Sequence, residues 1–242
     1  FFTKSIFDKI TIAYPQNKET KYFLKKLKIK NIKLIGNLKF IKTDELEDKK
    51  ERKRLYKIFK ANKIWVASST HGSEEELCAK AHIQLKKKFK KLLTVIIPRH
   101  IHRVPKIIEE IKQLNLNYAL HSNNKKNLKN TDIYIVDTFG ETNKFHMLAS
   151  TVFLGGSIIK RGGQNPLEAA RHGAKILHGP NIDNFKDIYK LLKSFKVSKK
   201  ISSSKELAQS VVFKKNKNIG VKIKNIGEKI LKKTIKELDY LI

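Results

Sequence analysis

Apolar and polar positions along this chain fall into a repeating order. A short apolar run is followed by a polar cluster rich in Gly, Ser, Thr or His, and then by a stretch with apolar residues at helical spacing. The runs Ile64–Ser68, Leu92–Ile97, Tyr118–Leu120, Ile133–Val136, Val152–Leu154 and Ile176–His178 carry no acidic or lysine residues, as strands buried on both faces do. Between them the 3.6-residue period predicts helices from about Leu46 to Ala61, from Glu74, over Val104–Leu114, from Glu141 to about Ala149, from Asn184 to Ser194, from Ser203 or Ser204 to Val212, and over Ile219–Leu241. Glu74, Glu75 and Glu76 open one of these, where they complement the helix dipole. Strands alternating with helices make an α/β fold with a Rossmann-like parallel sheet and helices on both faces. In such a sheet the polar loops at the strands' carboxyl ends converge on one crevice. Upstream, Ile10–Ala13 and Ile32–Ile35 read as strands around a helix at Lys18–Leu27, the remnant of another α/β domain. A polar passage from Gly36 to about Asp48 reads as a linker. The expected division is 1–43 for that remnant and linker, and 44–242 for the second domain with its terminal helix.

The densest chemistry follows Val152–Leu154. Gly155-Gly156-Ser157 leads to Arg161-Gly162-Gly163-Gln164-Asn165-Pro166-Leu167-Glu168, with Gly173 closing a short helix. Asn165 is a preferred N-cap, Pro166 suits the first helical position, Glu168 completes a capping box and Gly173 suits C′. Strand, Gly-rich turn and helix start leave backbone N–H groups around a positive dipole end, a seat for a phosphate. One Gly pair would mean only a tight turn; two pairs, Arg161 and a capping box in so short a stretch point to a ligand site. The spacing is neither G-x-G-x-x-G nor a Walker loop, which disfavours ordinary dinucleotide and nucleoside-triphosphate sites.

Other strand ends add candidates. Ser69-Thr70-His71-Gly72 serves equally as a phosphate-facing loop or a polar turn. Pro98-Arg99-His100, with His102 and Arg103 behind it, concentrates cations, and Arg99 directly after a buried strand suits a bidentate anion contact. Glu141 opens a helix, where capping explains it almost as well as binding. The histidines lack metal-ligand spacing, so no metal is expected. Ser157, His71 and Asp137 make a triad only on paper, because no G-x-S-x-G elbow is present.

At 242 residues the chain can bury a proper core. Its formal net charge of +31 suggests nucleic acid first. The lysines, however, spread along nearly every helix beside many Asn and Ile, no nucleic-acid motif accompanies them, and the aromatics do not interleave with them. A solvated lysine-rich surface is the better reading, attraction to an anionic membrane surface comes second, and nucleic acid is not the expected partner. The single cysteine, Cys78, excludes an internal disulfide and fits a reducing compartment. No apolar run approaches a membrane span. The chain opens at Phe1 without a signal-peptide layout, and we expect a fragment whose N-terminal part is absent.

Taken together, these residues resemble the 3-deoxy-D-manno-octulosonic acid (Kdo) transferases. The resemblance rests on Gly36-Asn37-Leu38-Lys39-Phe40, Ser69-Thr70-His71, Pro98-Arg99-His100, Asp137-Thr138-Phe139-Gly140-Glu141, Gly155-Gly156-Ser157, Arg161 to Glu168, Gly179-Pro180 and Asn184-Phe185-Lys186-Asp187, in order over nearly the whole chain. Gln164 departs from the family, which often has His there. The resemblance implies a two-domain GT-B glycosyltransferase, with residues 44–242 as the nucleotide-sugar (donor) domain. It implies a CMP-Kdo donor and a lipid A precursor acceptor in lipopolysaccharide biosynthesis. It also implies work at the cytoplasmic face of the bacterial inner membrane, peripheral or anchored through another segment, with no cofactor. CMP would be lined by Pro98, Arg99, His100, Phe139, Gly140, Glu141, Gly156, Ser157, Arg161, Asn165, Pro166, Leu167 and Glu168, with Ser69, Thr70 and His71 nearby. The family's catalytic glutamate falls in a segment this chain does not contain, so no catalytic residue is expected here and the chain alone is expected to be inactive. The alternatives are a GT-B transferase using a UDP- or GDP-sugar, or a basic module binding nucleic acid or a membrane surface.

Overall fold

The computed structural model describes residues 6–41, 49–60, 62–123 and 128–240. Two compact units emerge, one of residues 1–45 with 221–242 and one of residues 46–220.

In the first unit α1 (Lys18–Lys26) starts at Asn17, whose side chain accepts the Thr20 N–H at 2.8 Å. The strands expected at Ile10–Ala13 and Ile32–Ile35 reduce to one parallel bridge, Ala13 to Ile32. Pro15, two residues after the bridge, has no N–H with which to extend a ladder.

The second unit holds a sheet of β1 (Lys63–Thr70), β2 (Leu92–Pro98), β3 (Tyr118–Leu120), β4 (Ile133–Ile135), β5 (Thr151–Leu154), β6 (Lys175–His178) and β7 (Ser198–Lys200). The order is β3-β4-β2-β1-β5-β6-β7 and every pairing is parallel. Its helices are α2 (Lys49–Phe59), α3 (Glu74–Lys86), α4 (Val104–Gln113), α5 (Thr142–Leu148), α6 (Leu167–Arg171), α7 (Lys186–Ser194) and α8 (Ser204–Ser210). Consecutive strand side chains point to opposite faces, and here both faces are covered. Trp65, Ala67, Ile96, Ile133, Ile135 and Phe153 pack against Cys78, Ala81 and Leu85 of α3, Ile107 and Ile111 of α4, and Leu207 of α8. Tyr134, between Ile133 and Ile135, meets Phe59 of α2 edge-on at 5.1 Å, and Phe59 meets Phe145 of α5 at 5.8 Å. Each such buried side chain contributes about 1.5–3 kcal/mol. The edge strand β7, Ser-Lys-Lys, was not anticipated; it has no apolar run, and exposed lysines are how an edge is kept from pairing further.

Because all strands are parallel, all their carboxyl ends lie along one rim. The chain builds from β1 to β2 on one side of β1 and later places β5 on the other, so the order reverses between β1 and β5. A ligand crevice forms at such a reversal.

The last helix, α9 (Lys217–Asp239), divides otherwise than expected. Ile223, Gly227 and Ile230 are buried, while Leu231, Ile235 and Leu238 are 40%, 48% and 50% exposed. At 100° per residue the two sets occupy adjacent arcs, and only one arc is covered. A Cβ on Gly227 would stand 2.2 Å from the Phe40 carbonyl oxygen, and Glu237 accepts from Lys33 Nζ at 2.6 Å. These contacts group residues 221–242 with residues 1–45 rather than with the rest of 44–242. Among the described residues no helix is long and apolar enough to cross a membrane.

Candidate functional site

The rim between β1 and β5 is built around a buried carboxylate. Glu74, in the first turn of α3, accepts the N–H groups of His71 (3.0 Å), Gly156 (2.7 Å), Ser157 (3.1 Å) and Ile158 (2.9 Å). The loop after β1 and the turn after β5 are thereby bolted together. Gly155 admits the close approach, since a Cβ there would lie 2.3 Å from the Ser69 carbonyl oxygen. Ser69 itself is left-handed, at φ 56°, where the β1–β2 register shifts. Ser157 is fully buried; its hydroxyl donates to Leu154 O (2.5 Å) and accepts the Gly179 N–H (2.8 Å). The amides of Gly156 and Ser157, expected to face an anion, are therefore taken by the protein's own anion. What this turn offers a ligand is shape.

Histidine and arginine side chains stand around that turn. His71 is half-buried, and its ring atoms lie 3.4 Å from where a Gly156 Cβ would be, as does Arg161 Cβ. His71 meets His100 edge-on with centroids 5.7 Å apart, and His100 stacks on His102 at 5.5 Å. Burial, with the like charges of His100, Arg161 and Arg103, lowers the His71 pKa against the pull of Glu74. Arg103 is turned away, its guanidinium 2.6 Å from buried Glu75. Arg99 and Arg161 are exposed. The backbone N–H of Arg99 is held by Thr70 O at 2.9 Å, which fixes where the side chain leaves the rim. Pro98 and Thr70 are buried supports beneath it. Among the described residues no group of three or more His, Cys, Asp or Glu is arranged to hold a metal.

The Arg161–Gly163 loop is held at both ends. Gly163 N–H donates to Gly156 O (2.9 Å), Asn184 N–H to Gly162 O (3.1 Å), and Asn184 Nδ2 to Arg161 O (3.2 Å). Asn184 thus fastens a loop rather than capping a helix; α7 begins at Lys186 after a 3-10 turn, Asp183–Phe185. The expected capping box also differs. Asn165 Oδ1 accepts the Leu167 N–H (3.1 Å), but Pro166 is the residue at the N-cap and α6 is only five residues long. Its dipole is correspondingly small. Gly173, at φ 76°, ends α6 as expected, with the Gly173 N–H on Ala170 O (2.9 Å) and the Ala174 N–H on Ala169 O (3.3 Å).

Glu168 is not folded back on Asn165. Its Oε1 lies 3.3 Å from Nδ1 of His146, a buried ring on α5. Burial pushes the Glu168 carboxyl up, but His146, His172 and Arg171 outweigh it and hold the group below the usual carboxylate range. Glu141 sits between Lys144 Nζ (2.9 Å) and His121 Nε2 (3.6 Å). Phe139, beside Gly140, is 76% exposed, an unusual setting for an aromatic ring at a strand end. Leu167 and Pro166 are buried. Two groups therefore form, His71, His100 and Arg161 about the turn after β5, and Glu168 with His146. Sequence reasoning took Glu74 for a dipole residue and passed over His146, because their partners lie far along the chain.

No protein-family profile matches the chain. The 3-deoxy-D-manno-octulosonic acid transferase of Rickettsia prowazekii is 33% identical over 82% of this chain and 43% of its own length. That of Haemophilus influenzae is 28% identical over 75% of this chain and 40% of its own length. The chain thus spans about two fifths of the length of the relatives it matches. Among solved structures, the C-terminal CMP-Kdo binding domain of WaaA from Acinetobacter baumannii superposes with TM-score 0.61 at 21% identity, covering 76% of this chain and 96% of that domain. That likeness establishes the fold, a GT-B type Rossmann-like unit. With the sequence relatives and the rim residues that carry the resemblance, it follows that this chain belongs to the 3-deoxy-D-manno-octulosonic acid transferase family.

Proposed function

We propose that this chain is the donor-binding part of a Kdo transferase, and that the whole protein moves Kdo from CMP-Kdo to a lipid A precursor at the cytoplasmic face of a bacterial inner membrane. The observation that carries the reading is the group of N–H-bearing side chains, His71, His100 and the Arg161 guanidinium, at the β1–β5 reversal, with exposed Arg99 on the neighbouring strand end. A nucleoside monophosphate sugar acid presents a phosphate and a carboxylate, and two guanidinium groups with imidazole N–H donors beside them match both. They would also stabilise charge developing on the departing CMP without a resident cofactor. Phe139 offers a flat apolar face to a pyrimidine, and the side-chain oxygens of Glu168 and Glu141 can accept from ribose hydroxyls. Transfer would be inverting. The base taking the acceptor hydroxyl's proton would come from a part of the longer relatives outside the matched region, so the chain by itself should not turn over.

Calorimetric titration of the chain with CMP and with UDP tests this. CMP should bind and UDP should bind more weakly. Arg99→Ala should cost at least tenfold in CMP affinity, from loss of a charge-assisted contact of about 1.5–3 kcal/mol. A folded chain that ignores CMP, or whose Arg99→Ala variant binds it unchanged, would overturn the assignment. Salt-sensitive RNA binding without a CMP response would favour the basic-module alternative.

A further inference from the structure

His146 is a buried side chain for which the fold alone gives no account. It is 2% exposed, and neither ring nitrogen completes a hydrogen bond among the described residues. Its one polar approach is Nδ1 to Glu168 Oε1, at 3.3 Å. Leaving a buried imidazole so poorly paired costs about 1–3 kcal/mol, and a Phe would fill the same space without that cost. The ring stands on α5, directly after Phe139-Gly140-Glu141, while Glu168 stands on α6, directly after the Arg161–Asn165 loop. A second strut crosses between the same helices, His172 Nε2 to Asn143 Oδ1 at 2.8 Å. Helix α5 thus reaches α6 at the one residue of α6 whose carboxylate is partly open to the rim, with 40% of its side chain exposed.

We propose that His146 is a positioning residue for Glu168: its Nδ1–H donates to the carboxylate from the buried side, keeping it ionised and turned so that its outer oxygen accepts from a ligand hydroxyl. The inference rests on the reading that Glu168 meets the ribose of CMP. The groups facing the Glu168 carboxylate are His146 from α5 and His172 and Arg171 from its own end of the chain. Arg171 and His172 are part-buried and belong to Glu168's own segment, whereas His146 comes from another helix and is itself buried, 2% exposed. With the imidazole removed, burial acts on Glu168 less opposed, and its titration moves to higher pH.

The experiment compares the 242-residue chain with three variants, His146→Phe, His146→Asn and Glu168→Gln. Phe keeps an aromatic ring and has no nitrogen; Asn places an amide N–H close to where Nδ1 stands. Two readouts are taken. One is the carboxyl ¹³C shift of Glu168 against pH in the ligand-free chain, and the other is CMP affinity by calorimetry between pH 4.5 and 8. In His146→Phe the Glu168 titration and the acid limb of CMP binding should both move up in pH, with affinity at neutral pH falling ~10-fold as one hydrogen bond to a charged group weakens. His146→Asn should restore both towards the parent. A Glu168 titration unmoved in folded His146→Phe would overturn the positioning role, since that readout needs no ligand. If the titration moves but Glu168→Gln binds CMP like the parent, Glu168 is not at the ribose, and the inference falls with that part of the donor site rather than through His146.

Discussion

Glu74 is the residue on which the geometry of the rim depends. A carboxylate accepting four backbone N–H groups is stabilised as an anion by each of them, and each loses a partner if it goes. Glu74→Gln keeps the volume but turns an NH₂ group towards two of those donors. The substitution should destabilise the chain by about 3 kcal/mol or more, seen as a lower urea midpoint at unchanged m. A midpoint within experimental error of the parent would show that the four amides find other partners. The aim of Glu74 was not readable in advance. Acidic residues in a first helical turn have an adequate local explanation, and the Gly156 amide lies 82 residues downstream. Gly155-Gly156-Ser157 was read as part of a seat for a ligand phosphate, and its amides are taken instead by the Glu74 carboxylate. That partner was set by the fold.

At the scale of elements, the strands were the most legible part. The strands expected at Ile133–Val136 and Val152–Leu154 were placed to within a residue because a strand covered on both faces has to be apolar at every position. The missed strand, Ser198–Lys200, is an edge and obeys no such rule. Helix α9 shows what helical periodicity leaves open. Its apolar positions were correctly seen as helical, yet the arc they span is wider than the arc that packs. The distinction is measurable. Ile230, 9% exposed and facing Gly36, should not tolerate a charge, and Ile230→Asp should cost about 3 kcal/mol or more through an unpaired buried carboxylate. Ile235, 48% exposed, should tolerate one within about 0.5 kcal/mol. Equal losses of Tm for the two variants would mean that the whole stripe is covered in solution.

Across the whole molecule, charge and acid sensitivity follow from a few carboxylates. The net charge of +31 means that each protonated Asp or Glu adds to self-repulsion. Asp132 is buried, which opposes its ionisation, but His82, Lys86 and the Asn117 N–H hold its carboxyl far below the usual range. Glu168 is lowered too. A carboxyl whose folded pKa lies below its unfolded one stabilises the fold above the unfolded value, near 4, and that contribution is lost as pH falls through the folded value. The urea midpoint should therefore hold between pH 7 and 5 and drop steeply below about pH 4. Asp132→Asn should be less stable at neutral pH and show a shallower acid drop. An unchanged acid profile in Asp132→Asn would place the sensitivity elsewhere.

The sequence by itself determined the class of fold, the rim along which the polar loops lie and the family resemblance, since each is written in local pattern: the two-residue and 3.6-residue periods, the Gly pairs, and Arg99 set directly after a strand. Only the tertiary structure decided what the polar side chains do. Glu74 serves the Gly156 turn, Asn184 holds the Arg161 loop instead of starting a helix, Glu168 turns to His146 instead of closing a capping box, and residues 221–242 join residues 1–45. The physical reason is the same each time. A hydrogen bond or a close contact selects among partners by distance in space, and local sequence names only the partners nearby.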